Sequence, residues 1–340
     1  MRRLRLPNLL RWLGLFAFVF FLVLGCGNGS TNAGGASGNG TGNNGTTASN
    51  PQGQSWPKEL RVGYQKSSFL LFLKEKGTLE QQLAPYGVKV SWYEFTSGPP
   101  LLEALNSGSI DVGETGGAPA ALAQASPQAQ FVYLAYEPEV ARAIVVPKNS
   151  PIHSIADLKG KKMAFAQGSS AHYTVLTALQ KAGLKISDIQ PVNLQPPDAR
   201  SAFERGNVDA WGIWDPYLAD AEMNAGARIL VNAKDLPKQY SFIVGRRDYA
   251  QQYPQVTKIL LDNLQKVTDE IHADTKSAAQ ELSAVTKIPV ATWQRTLDRR
   301  DYGVYPLTDQ VIAAQQKIAD TFFEAGLIRQ KVRVQDAVQP

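Results

Sequence analysis

Gly168, Ser169 and Ser170 stand between the apolar stretch "AFAQ" at 164–167 and a helix that the sequence predicts over 171–182. The first peptide N–H groups of a helix lack partners within it, and the helix dipole is positive at that end. A glycine lets a ligand approach the backbone, and two serines add hydroxyl donors. The three residues suit a small anion with several oxygens. Neither GxxxxGK[ST] nor GxGxxG stands at this loop, so a nucleotide is not the expected ligand. An isolated loop of this kind is explained by a capping serine alone.

The loop is not isolated. "YQKSS" (64–68), "ETGGAPA" (114–120) and "WDPY" (214–217) also read as strand ends running into helices. In the last, Asp215 can cap and Pro216 can occupy the first helical position. Ligands of α/β sheets bind beyond the carboxyl ends of the strands. Two such sheets facing each other would bring the four loops to one cleft. Tyr64, Tyr173, Trp211, Trp214 and Tyr217 lie near these loops and could wall an apolar ligand body. Trp211 and Trp214 have an odd spacing and so face opposite ways on a strand, and Trp214 adjoins the helix start.

Nucleophilic catalysis has little to stand on. His172 lies beside Ser170, a pairing that would suit a periplasmic hydrolase. No GxSxG elbow is present, and no carboxylate has an evident orienting role. His172 reads better as a hydrogen-bond donor to an anion or a support behind it. The other histidines, His153 and His272, complete no metal-ligand spacing, and Cys26 is the single cysteine. No metal and no cofactor are expected.

The elements that position these loops alternate from residue 58 onward. Strands are read at 59–65, 88–95 and "SIDVGE", separated by helices that break at Gly77 and Pro85 or end near Gly108. A second set begins near 151, with strands at "KMAFA", "IQPVNLQ" and "VDAWGIW". This order implies α/β architecture with largely parallel sheets. "ALNSGSIDV" (104–112) and "AFERGNVDA" (202–210) align as helix, glycine and strand, as two similar domains would. Asp111 and Asp209 within them sit at strand starts, away from the loops, and read as structural. A strand at 240–250 suits a return crossing to the first domain, pairing near "ARAIVVP". A hinge is expected near 142–150 and 240–248. Residues 252–327 read as helices packed through an apolar face.

The expected divisions are 1–25, 26–57, a discontinuous first domain of 58–148 and 243–335, and a second domain of 149–242. Arg2, Arg3, Arg5 and Arg11 precede an uncharged apolar run too short for an ordinary membrane span. "LVLGC" (22–26) then resembles a bacterial lipobox, which implies cleavage before Cys26 and its lipidation. Cleavage removes four arginines and lowers the formal charge from +5 to +1, so the basic balance gives no ground for nucleic-acid binding. Residues 27–55 are uncharged Gly, Asn, Ser and Thr for the most part, a tether reaching roughly 30 Å.

"RVGYQK", "GPPLLEALNSGSIDVGETG", "LKGKKMAFAQGSSAHYTVLTALQKAGL", "DIQPVNLQPPDARSAFERGNVDAWGIWDPY" and "AAQQKIADTFFEAGLI" resemble the aliphatic sulfonate-binding proteins of bacterial ABC importers. The resemblance spans about 58–338 and implies a two-domain periplasmic-binding fold of the second type, with its ligand cleft between the domains. It implies an organosulfonate ligand, a permease partner, no catalysis, and a monomer in the cell envelope, periplasmic or otherwise outside the cytoplasm. Its ligand loops fall on Gln65 and Lys66, on Thr115, Gly116 and Gly117, on Gly168, Ser169, Ser170 and His172, and on Trp214 with Asp215. "NLQPP" and "AHYT" are also similar to taurine-binding relatives, and Gly117 and Ala120 depart from the family's usual loop. Taurine, nitrate or a thiamine precursor therefore remain alternative ligands.

Overall fold

The structure is a computed structural model that describes residues 55–338. The expected signal segment, Cys26 and all but the end of the tether lie outside the described residues. Trp56 is already buried, stacked at 3.8 Å on Tyr86, so folded chain begins inside the expected 26–57 tether.

The first part of the chain runs β1 (Glu59–Tyr64), α1 (Phe69–Lys76), α2 (Thr78–Leu83), β2 (Lys89–Glu94), α3 (Gly98–Asn106), β3 (Val112–Gly116), α4 (Gly117–Gln124) and β4 (Phe131–Glu137). The second runs β5 (Arg142–Pro147), β6 (Lys162–Phe165), α5 (Ser170–Lys181), β7 (Gln190–Asn193), α6 (Pro196–Glu204), β8 (Ala210–Trp214), α7 (Tyr217–Asn224) and β9 (Ala227–Asn232). The chain then returns through β10 (Ser241–Arg246) and ends in helices: α8 (Arg247–Gln252), α9 (Pro254–Ala273), α10 (Thr275–Thr286), α11 (Val290–Asp298) and α12 (Asp309–Glu324).

The strands form two sheets of the same plan, β2-β1-β3-β10-β4 and β7-β6-β8-β5-β9. In each, the fourth position holds the strand that has just crossed from the other sheet, and it alone runs antiparallel to its neighbours. This corrects one expectation. β10 does not pair near "ARAIVVP" but between β3 and β4, while β5 pairs with β8 and β9. The chain therefore leaves the first sheet between Glu137 and Arg142, ahead of the expected boundary at 148, and the strands at 142–147 and 241–246 belong to sheets and not to a hinge. The crossings are residues 138–141 and 233–240.

The repeated segments explain why both sheets start alike. Asp111 Oδ2 accepts the Arg61 N–H at 2.9 Å, and Asp209 Oδ2 accepts the Lys162 N–H at 2.8 Å. Each carboxylate thus satisfies an amide in the first half of the neighbouring parallel strand, a structural role. Gly108 (φ 75) and Gly206 (φ 69) turn the preceding helices into those strands in the left-handed region, where a side chain would be strained. On α9, Val256, Leu260, Leu264, Val267 and Ile271 recur at helical spacing and are all buried against the first sheet's core. Burial of each is worth about 1.5–3 kcal/mol. Parallel order then fixes the site: the carboxyl ends of β1, β3, β6 and β8 all lead into the loops singled out above.

Candidate functional site

The loops enclose a cavity of about 30 Å³ between the sheets, room for only a couple of waters. Of the residues singled out in the sequence, Gln65, Gly116, Ser169, Ser170 and Trp214 line it. The lobes meet closely around it. A Cβ on Gly116, in the first lobe, would collide with Ser170 Oγ in the second. Thr96 Oγ1 reaches Gln195 Oε1 at 3.0 Å across the cleft.

The start of α5 is arranged as an anion receptor. Ser169 is the N-cap: its hydroxyl donates to the Ala166 carbonyl at 2.7 Å and accepts the His172 N–H at 3.4 Å. Its proton is therefore committed within the loop. Ser170 Oγ, by contrast, has no hydrogen-bond partner among the described residues, and neither do the peptide N–H groups of Ser170 and Ala171. These are the first two amides of a twelve-residue helix.

Arg142 lines the same cavity and was not anticipated. It is 5% exposed and donates to the Val140 carbonyl at 2.9 Å and to Glu139 Oε2 at 3.2 Å, while its buried Nε has no partner among the described residues. Burial lowers its pKa, opposed by Glu139. An arginine within the otherwise apolar "ARAIVVP" was the signal available for it. Glu114, Ser67 and Ser241 complete the polar lining from the first lobe, and they too escaped notice.

Other expected residues stand elsewhere. Lys66 turns toward Glu94, 4.0 Å away. Thr115 is fully buried under α3, where its hydroxyl neighbours Gly98. Gly117 gives its N–H to Tyr240 O at 2.9 Å and accepts from Gln315 at 2.7 Å, so it faces α12. Gly168 (φ 78) is the turn before the helix, packed against Pro99 and Leu122. His172 is buried, stacked on Phe165 at 5.0 Å, and accepts the Gly168 N–H on Nδ1 at 3.2 Å. Burial pushes its pKa down to about 4, so the ring is neutral and braces the loop from behind.

Asp215 needs the largest correction. It is 2% exposed, and both carboxylate oxygens are taken: Oδ1 accepts the Ala219 N–H at 3.0 Å, and Arg299 Nε binds Oδ2 at 2.6 Å. It holds an amide of the first turn of α7 and anchors Arg299, and it is not among the residues that line the cavity. Pro216 precedes the helix, which opens at Tyr217. Of the aromatics, Trp214 alone lines the cavity; Trp211 packs on Phe203, Tyr64 on Trp92 and Tyr173 on Phe322. Among the described residues no group of three or more His, Cys, Asp or Glu is placed to hold a metal ion, and no helix is long and apolar enough to cross a membrane.

Residues 57–286 match the model of the NMT1-like family. The chain is 41% identical over 288 residues to a protein of Escherichia coli (strain K12) provisionally named for binding aliphatic sulfonates, covering 84% of this chain and 90% of that one. Its structure is similar to that of the alkanesulfonate-binding protein SsuA from Xanthomonas axonopodis pv. citri bound to MOPS, with a TM-score of 0.78 and 39% identity over 83% of this chain and 98% of that chain. The periplasmic aliphatic sulphonate binding protein SsuA from Escherichia coli is similar at a TM-score of 0.74 and 40% identity, over 84% and 93% of the two chains. The two mixed sheets are those of the periplasmic-binding-protein fold.

Proposed function

As the chain belongs to the NMT1-like family, we propose that it is the solute-binding component of an ABC importer and that its interlobe cavity captures a small organosulfonate. The observation that carries this reading is the start of α5, where Ser170, whose hydroxyl and peptide N–H have no partner among the described residues, lines a cavity that also holds a buried arginine. A sulfonate is anionic throughout the physiological range and only accepts hydrogen bonds. Donors serve it, and a proton acceptor does not.

Trp214 supplies an apolar wall for the carbon tail. Ligand contacts on both lobes favour the closed arrangement over an open, hydrated one, and the permease reads closure. The protein binds without catalysis: His172 is neutral, turned to Gly168 and not to Ser170. Lipidation at Cys26 would keep the binding lobes at the membrane, outside the cytoplasm, as a monomer on its tether.

Calorimetric titration with ethanesulfonate, nitrate and propanoate tests the reading. Ethanesulfonate is expected to bind and the other two to bind at least tenfold more weakly. Binding of nitrate or propanoate as tight as that of the sulfonate would remove it.

A further inference from the structure

The cavity has two charged walls of opposite sign, and each belongs to a different lobe. Arg142 and the start of α5 come from the second sheet's lobe. Glu114, on β3, comes from the first. Glu114 is 2% exposed, and its Oε2 has no hydrogen-bond partner among the described residues. A carboxylate in this position repels a plain alkanesulfonate.

We propose that the preferred ligand is an aminosulfonate, a zwitterion whose sulfonate lies on the α5 side and whose ammonium is held by Glu114. This rests on the organosulfonate reading above and narrows it.

The charges behind the wall agree. Arg142 is matched by Glu139 at 3.2 Å. Arg300 serves two buried carboxylates: its Nη2 lies 3.4 Å from Glu137 Oε2, its Nη1 is given to the Ser67 carbonyl, and its charge also acts on Glu114. Burial and the neighbouring Glu114 push Glu137 up to about 8, so it keeps a proton at neutral pH. Burial raises Glu114 too, opposed by Arg300 and by the Ser241 and Ser68 hydroxyls. A ligand ammonium supplies Glu114 Oε2 with the donor it lacks among the described residues. Because the ligand's two ends bind different lobes, only a molecule carrying both charges engages both walls and holds the cleft shut.

The test compares 2-aminoethanesulfonate with 1-propanesulfonate, which replaces the ammonium by a methyl group of similar size. Dissociation constants are measured by calorimetry at pH 7 in a buffer free of sulfonates. The wild type is expected to bind the aminosulfonate at least about tenfold tighter, the worth of one charge-assisted hydrogen bond. In Glu114→Gln that ratio is expected to fall to about one. A wild-type ratio below tenfold overturns the proposal, and so does an unchanged ratio in a folded Glu114→Gln. The wild-type ratio decides the matter even if the variant does not fold. If neither compound binds, the organosulfonate reading itself has failed; if propanesulfonate binds equally well, that reading stands and the aminosulfonate proposal falls.

Discussion

His172 shows how a residue next to a binding loop can act without touching the ligand. Its Nδ1 accepts the Gly168 N–H, which fixes the turn that presents Ser170. The ring must be neutral to accept there, and burial holds its pKa near 4, well below the ordinary value of 6.5. A depressed pKa means that the unfolded chain takes up a proton first. Stability is therefore full above about pH 6.5 and falls as the pH drops toward 4, by up to about 3 kcal/mol. Urea unfolding at pH 7 and pH 4.5 is expected to show this loss, and His172→Phe, which removes the titrating group, is expected to reduce it. An equal acid sensitivity in the variant would place the effect elsewhere. The sequence singled out the histidine but could not show its partner, because the Gly168–His172 bond exists only once the helix has formed.

At the scale of elements, α11 and α7 are held together by charge. Arg299, just after α11, binds Asp215 at 2.6 Å and Glu222 at 2.6 Å, and Asn224 Nδ2 donates to Thr292 Oγ1 at 3.1 Å. Burial raises the Asp215 pKa, and Arg299 opposes that shift. Arg299→Ala would leave a buried carboxylate without its partner, a loss of about 3–5 kcal/mol. Adding Asp215→Asn is expected to restore part of it, read by chemical unfolding. No recovery in the double variant would show that the pair is not what couples these helices. The strand and helix order was legible because it depends on neighbours: Gly77 ends α1 at φ 64, and Thr308 caps α12 through the Val311 N–H, as short-range rules require. The Asp215–Arg299 contact spans 84 residues, so local reading gave Asp215 a role at the helix start but not its ion pair. Arg142 was hidden for the converse reason, an apolar strand around it that read as plain core.

At the scale of the whole molecule, two sheets of one plan exchange their fourth strands and close on one small cavity. The strand ends that define it were visible in sequence, since parallel order alone sends them to one side of each sheet. The exchange itself was not, because which sheet β10 joins is a non-local choice between two sheets of similar plan. The account turns on donors at the start of α5, and the two adjacent serines separate its ligand chemistry from its architecture. Ser170 lines the cavity and its hydroxyl has no partner among the described residues, whereas the Ser169 hydroxyl is committed to Ala166 and the helix cap. The decisive measurement is one calorimetric titration of the wild type, Ser169→Ala and Ser170→Ala with the same organosulfonate, with a melting curve for each. Ser170→Ala is expected to weaken binding about ten- to a hundredfold at nearly unchanged stability. Ser169→Ala is expected to lose about 0.5–2 kcal/mol of stability through the cap, with a smaller effect on affinity. Wild-type affinity in Ser170→Ala would contradict the account, for the start of α5 would then be a capped helix and not the anion's receptor.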